Sequence, residues 1–393
     1  MALIDIFIQF ALILVAGVII KAIGDKANFP FIVLLMLSGT ALASLSLIEI
    51  FSLDFVPELI RTIALISIVF SSGFFINLKD VFKQTKLILS LSFFGSILTA
   101  FITTVISFWF LSLPLVSAAL LGTLWSGSDA AAFPQAKKKS NILNILRTES
   151  VLNTPLSVIL PFFILDFLLK ANTSSDVFLF FIFSDNISKF FSLIVVGAVS
   201  GIAMYVLGQY VLKHSNHDYI EVVALTIAFT SYVLTEILGG SGILAVGLTS
   251  ILLANSRIPE KKMLGEFNSQ LSFFFTVLVF VLLGAEFVFS DFFLISFFDL
   301  IAIIFVLFFA RLLSALILLR NSNLSFDEKL KIGLISPKGV APAALAPLIL
   351  NPLYGVIEAE KIVVIIYVGI IVSVLISLLV LQFFVLNERK SLA

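Results

Sequence analysis

The sequence predicts an all-α polytopic membrane protein with about thirteen transmembrane helices, and three observations carry the prediction. Of 393 residues, 60% are hydrophobic and only 12% are charged, against roughly 25% charged for an ordinary soluble domain. The apolar residues come in runs long enough to cross a hydrocarbon core, which takes about 20 residues per helix. Lys and Arg also alternate from loop to loop in the way the positive-inside rule requires.

Taken in order, the spans fall at about 5–22, 29–50, 59–77, 86–111, 114–135, 141–168, 187–212, 219–236, 240–254, 264–289, 293–319, 328–350 and 361–386. The opening MALIDIFIQF has neither a basic n-region nor an A-x-A site, so it reads as the start of the first span rather than a signal peptide. An odd count puts the two termini on opposite sides. Of the 24 Lys and Arg, 18 lie in one set of loops and four (Arg61, Lys170, Lys189, Lys361) in the other, while Arg311 and Lys338 lie inside spans. The carboxyl terminus is therefore expected in the cytoplasm and the amino terminus outside, in the cell membrane.

Several function classes are excluded. Lys plus Arg and Asp plus Glu both number 24, so no charge imbalance points to nucleic acid. With Cys at 0, thiol catalysis and cysteine-bound metal are impossible. His214 and His217 sit in the polar stretch KHSNHDYIE and read as a solvated loop pair rather than a metal site. No Ser/His, HExxH or GxGD-type constellation points to an enzyme, and no cofactor is expected. Loops of at most about 20 residues leave no room for a soluble domain, so the protein acts within the bilayer.

Two stretches look alike: LLGTLWSGSDAAAFPQAKKK at 120–139 and KIGLISPKGVAPAALAPLIL at 331–350. Each is a short apolar half, a Ser/Gly/Pro interruption with one charge (Asp129, Lys338) and a small-residue half. Interrupted helices in corresponding halves of a chain point to a midplane binding site, because half-helix ends present uncompensated backbone dipoles. Two ordinary kinked helices would read the same way.

Charge at mid-bilayer needs a partner or a watery cavity. Five such residues remain: Asp129, Glu149, Glu236, Arg311 and Lys338. Asp129 is placed to cap the half-helix that follows it. Glu149 and Asn153 are i and i+4, as are Ser150 and Thr154, so the two pairs share one helix face. Pro155 frees the carbonyl of Val151 at the same level. A carboxylate, an amide oxygen, hydroxyls and a bare carbonyl are hard donors suited to a small cation, although a polar patch holding helices together has the same composition. Lys338 is the natural partner for Glu149 or Asp129, Arg311 pairs or snorkels, and Glu236, beside GGSG, is expected to be exposed.

GTLWSGSDAAAFP followed by RTESVLNTPLSVILPFF resembles the NhaP-type monovalent cation/proton antiporter family. That family has a Ser/Thr-Asp pair in one broken helix and E-S-x-x-N-D in the next. FPFIVLLMLSGTAL, GSGILAVGLTSILLAN, FFFTVLVFVLLGAEF, ARLLSA and SPKGVAPAALA extend the resemblance over nearly the whole chain in the family's order. It implies thirteen helices in two inverted repeats with two crossed broken helices. It also implies a core domain of about 59–168 and 293–386, an interface domain of about 1–50 and 187–289, and a homodimer. Carried over, it places Ser128 and Asp129 at the first crossing and pairs Glu149 with Lys338, which stands where the family usually has Arg. Ser150 and Asn153 join the ion site, and Thr154 occupies the position of the ion- and proton-binding aspartate.

A Thr hydroxyl can give an oxygen to a cation but does not titrate near pH 7. The implied activity is therefore exchange of sodium, potassium or lithium for protons with Asp129 as the switching carboxylate, in contact with membrane lipid. Two alternatives are a cation carrier without obligatory proton coupling, and a transport-inactive relative acting as a sensor or partner subunit. Lys137, Lys138 and Lys139 at the cytoplasmic mouth would repel cations, which favours the weaker-transport readings.

Overall fold

The computed structural model describes residues 2–27, 29–48, 55–76, 78, 85–129, 141–171, 176–215, 219–287, 289–350, 353 and 358–385. The regular elements among them are helical: α1 (Ala2–Ala27), α2 (Phe31–Ser44), α3 (Phe55–Phe74) and α4 (Thr85–Leu89), which runs through a π segment (Ser90–Gly95) into α5 (Ser96–Phe110). Next come α6 (Leu115–Leu124), α7 (Asn141–Ala171), α8 (Asp176–His214), α9 (Ile220–Ile237), α10 (Gly242–Ala254) and α11 (Lys261–Glu286). A 3₁₀ turn (Phe289–Leu294) leads to α12 (Phe297–Leu318), α13 (Phe326–Leu334), α14 (Val340–Leu350) and α15 (Ala359–Val385).

Nine of these segments, among the described residues, are long and apolar enough to cross a membrane. Four shorter apolar helices, α2, α6, α10 and α14, rely on neighbours for burial. The starts are written locally. Ser296 with Asp299 and Ser325 with Glu328 form capping boxes at α12 and α13, and Ser241 caps α10.

Lipid supplies no hydrophobic drive between helices, so close backbone contact through small residues takes over. The crossing of α2 and α11 shows this from both sides. A Cβ on Gly39 would lie 2.1 Å from the Val281 carbonyl oxygen, and one on Gly284 would lie 2.0 Å from that of Met36. At the same end Thr40 Oγ1 bonds the Gly284 carbonyl and the Tyr367 hydroxyl, each at 2.9 Å, and the ring of Tyr367 stacks on Phe287 with centroids 4.2 Å apart. Arg61, counted above with the outer loops, is instead buried in α3 and paired with Glu286 of α11. The run from 264 to 289 hid that acid at its end. At the other end of the α3–α11 seam, Phe74 and Phe75 with Lys261, Lys262, Gly265, Glu266, Ser269 and Gln270 line an open cleft of ≈ 790 Å³.

Candidate functional site

The two interruptions meet. The loop after α6 and the loop between α13 and α14 are joined backbone to backbone, the Asp129 amide donating to the Pro337 carbonyl at 2.9 Å. The segment that Asp129 is expected to cap lies outside the described residues, and the Asp129 carboxylate reaches the second break. Its Oδ2 accepts from the Val340 amide at 2.5 Å, at the start of α14. Lys338 does the reverse, donating from Nζ to the carbonyls of Trp125 (2.7 Å) and Gly127 (2.8 Å), just past the end of α6, and to Ser336 Oγ at 3.3 Å. Each break thus sends its charge to the other's half-helix, an anion to an amino end and a cation to a carboxyl end, which is the favourable sense of the helix dipole at both. Gly339 is required here, because a Cβ on it would lie 2.0 Å from Asp129 Oδ2.

Lys338 is therefore not the partner of Glu149, and the expected ion pair is corrected. Glu149, fully buried, receives Arg311 Nη2 on Oε2 at 2.6 Å and Asn153 Nδ2 on Oε1 at 3.0 Å. Arg311 does not snorkel; it is 1% exposed. The carbonyl-lined end of α6 captures the lysine ammonium as a point charge, while the longer arginine reaches the carboxylate from α12. Sequence reasoning missed the surroundings of this pair. The π segment brings Ser92 and Gly95 to it, with Ser92 Oγ donating to the Glu149 carbonyl at 3.3 Å and Ser314 Oγ to that of Gly95 at 3.2 Å. A single wide turn inside an α-helix is a frequent mark of a functional site. Its only trace in the sequence is the run of small residues in SLSFFGS.

Beside the crossing lies a small cavity of ≈ 20 Å³, room for about one water-sized group, and Ser128, Asp129, Ser150, Thr154 and Ser157 are on its wall. Ser150 Oγ donates to the Ser128 carbonyl at 2.8 Å, Thr154 Oγ1 to that of Ser150 at 2.7 Å, and Ser157 Oγ to that of Thr154 at 2.9 Å. Asn153 Nδ2 reaches Ser128 Oγ at 3.3 Å, and its buried Oδ1 has no hydrogen-bond partner. Every residue expected at the ion site (Asp129, Ser128, Ser150, Asn153 and Thr154) therefore falls at this cavity or in direct contact with a residue on its wall. Ser157 was not anticipated, although the i+3 spacing from Thr154 could have found it. Glu236 is exposed and caps α10, its Oε1 accepting from the Gly242 amide at 2.8 Å. His214 is exposed, and no group of metal-ligating side chains occurs among the described residues. Lys137 to Lys139, His217 and the side chain of Pro155 lie outside the described residues.

Two interruptions that meet beside a polar cavity, in a chain whose described regular elements are helical and largely apolar, are the arrangement expected of a secondary transporter. The chain matches the transmembrane domain of the sodium/hydrogen exchangers over residues 10–386 and belongs to that family. Among its relatives is the Na(+)/H(+) antiporter 1 of Methanocaldococcus jannaschii, 27% identical over 85% of this chain and 81% of that protein. The probable Na(+)/H(+) antiporter 2 of the same organism is 25% identical over 88% and 84%. The K(+)/H(+) antiporter NhaP of Alkalimonas amylolytica is 25% identical over 86% of this chain and 58% of its own length. The solved structure of the sodium proton antiporter MjNhaP1 from M. jannaschii at pH 8 has the same fold, with a TM-score of 0.85 at 23% identity over 97% of both chains.

Proposed function

We propose that this protein exchanges a monovalent cation, sodium or potassium, for protons by alternating access, with Asp129 as the carboxylate that takes up cation and proton in turn. One observation carries the assignment. Of the two carboxylates near the cavity, Glu149 is neutralised by Arg311 and sealed away, while Asp129 is on the wall. Thr154 contributes an oxygen to the cation and no proton. Relatives described as sodium/proton and potassium/proton antiporters support exchange as the reaction.

The moving core comprises α4–α7 and α12–α15, and the scaffold α1–α3 with α8–α11. The boundary is drawn after α3, not before it, because α3 packs mainly on α10 and α11. An open cleft at the 261–270 end and the closed Thr40–Tyr367–Phe287 contact at the other support a state reached from one side only. That open side is the cytoplasm, in a cell-membrane protein with its amino terminus outside. The outward apolar faces of α1 and α8 (Phe7, Val18, Val199, Val206) serve lipid and a second copy in a homodimer.

A second reading is favoured by one residue, Thr154. With a hydroxyl where a titrating group is expected, the same cavity would carry a cation without obligatory proton coupling. Adding sodium or potassium chloride to weakly buffered purified protein separates the two. Exchange through Asp129 predicts proton release that Asp129→Asn abolishes, and uncoupled carriage predicts binding with no release.

A further inference from the structure

Ser150, Thr154 and Ser157 are spaced i, i+4 and i+7 along α7, which places three hydroxyls on one stripe of the helix. All three line the cavity beside Asp129. Each hydroxyl has committed its single hydrogen to a backbone carbonyl: Ser150 to Ser128, Thr154 to Ser150, and Ser157 to Thr154, at 2.8, 2.7 and 2.9 Å. A hydroxyl has one donor and two acceptor lone pairs, so once the hydrogen is spent it presents only electron density to whatever lies in front of it. A wall built this way repels a hydrogen-bond acceptor and attracts a cation.

A second observation points the same way. Asn153 has turned its amide nitrogen to Glu149 and Ser128, and this leaves Oδ1, in a fully buried side chain, without a donor. A buried acceptor without a partner is costly unless something positive satisfies it. Gly127 is what keeps that region open. A Cβ there would meet Ser157 Oγ at 3.0 Å and Asn153 Oδ1 at 3.4 Å, so the two oxygens converge on the same missing side chain.

We propose that Ser157 is a cation ligand, the inner member of a neutral oxygen stripe that substitutes for the carboxylate absent at Thr154. The ligand class is a monovalent cation stripped of most of its water, held by hydroxyl and amide oxygens at the Ser157 end and by the Asp129 carboxylate at the other. The inference rests on the functional reading above and adds a residue and a donor class to it. Neutral donors at Ser157 leave proton binding to Asp129, so cation affinity and proton affinity are set by different residues. They are separable by mutation.

Trp109 is exposed while Trp125 is buried at the crossing, and these are the two tryptophans of the chain. In a Trp109→Phe background, Trp125 fluorescence therefore reports cation binding to the full-length protein in detergent, titrated with sodium or potassium chloride against choline chloride. Ser157→Ala should weaken binding roughly tenfold or more, as expected for loss of one oxygen to a charged ligand. Ser157→Cys, which keeps the size but offers sulfur in place of a hard oxygen, should weaken it comparably, and Ser157→Thr should restore it. Thr235→Ala, at a buried hydroxyl remote from the cavity that bonds the Ser231 carbonyl, should leave the affinity unchanged. If Ser157→Ala or the size-matched Ser157→Cys binds the cation as tightly as the parent, Ser157 is not a ligand and the inference is wrong, with the assignment of Asp129 untouched. If the parent itself binds no cation and Thr154→Asp does, the functional reading fails and takes this inference with it.

Discussion

Replacing Arg311 with Met removes the only cation that, among the described residues, is bonded to the fully buried Glu149 carboxylate. Glu149 would keep the Asn153 amide at 3.0 Å and no charged partner among the described residues. With charge centres about 4 Å apart and an effective dielectric near 20, the lost attraction is ~4 kcal/mol. That falls within the ~3–5 kcal/mol typical of breaking a buried pair by removing one member. A double-mutant cycle isolates the interaction from the side effects of each single change. Glu149→Gln, Arg311→Met and the double variant would be unfolded in detergent by denaturant, with helix content followed by circular dichroism. The coupling should exceed about 2 kcal/mol, since the neutral Gln/Met combination leaves no stranded charge. The matching cycle of Glu149→Gln with Lys338→Met should couple by less than about 1 kcal/mol, because Lys338 spends its hydrogen bonds on two carbonyls and a hydroxyl. Equal couplings, or a larger one for Lys338, would refute the assignment of Arg311 as the partner.

Two glycines give sharper steric tests. Gly339→Ala puts a methyl 2.0 Å from Asp129 Oδ2, so the carboxylate must leave the Val340 amide; the apparent affinity for cation in a transport assay should fall about tenfold or more, and an unchanged value would show that the Asp129 cap is dispensable. Gly284→Ala drives a methyl to 2.0 Å from the Met36 carbonyl oxygen, so α2 and α11 must separate at a cost of about 1–3 kcal/mol. Denaturant unfolding should show that loss, and a change below about 0.5 kcal/mol would mean that the crossing is looser than described.

The fold was legible because bilayer thickness converts apolar run length directly into helices; the caps at Ser296 and Ser325, which fix where two of them begin, were not read from the sequence. The breaks were legible because Gly, Pro and a lone charge inside an apolar run contradict their surroundings, and the i, i+4 spacing put Glu149, Ser150, Asn153 and Thr154 on one face. The partner of Glu149 was not legible. Arg311 and Lys338 are both cations within spans, and what separates them is that the second break passes the carboxyl end of α6, whose carbonyls claim the lysine. No spacing encodes a meeting of segments more than two hundred residues apart. The Arg61–Glu286 pair was lost for the opposite reason, since each residue sits near the end of its apolar run and reads as a loop charge. The π segment left almost no signal, because one widened turn changes neither composition nor periodicity enough to register over a helix of that length.

The central claim is that proton coupling passes through Asp129 although Thr154 cannot titrate. Its most direct test is cation-driven pH change inside proteoliposomes, comparing the unmodified chain with Asp129→Asn and Thr154→Asp. Internal pH should shift with a sodium or potassium gradient in the unmodified protein and stay flat in Asp129→Asn. A shift that survives Asp129→Asn, or one that occurs only in Thr154→Asp, would contradict the account.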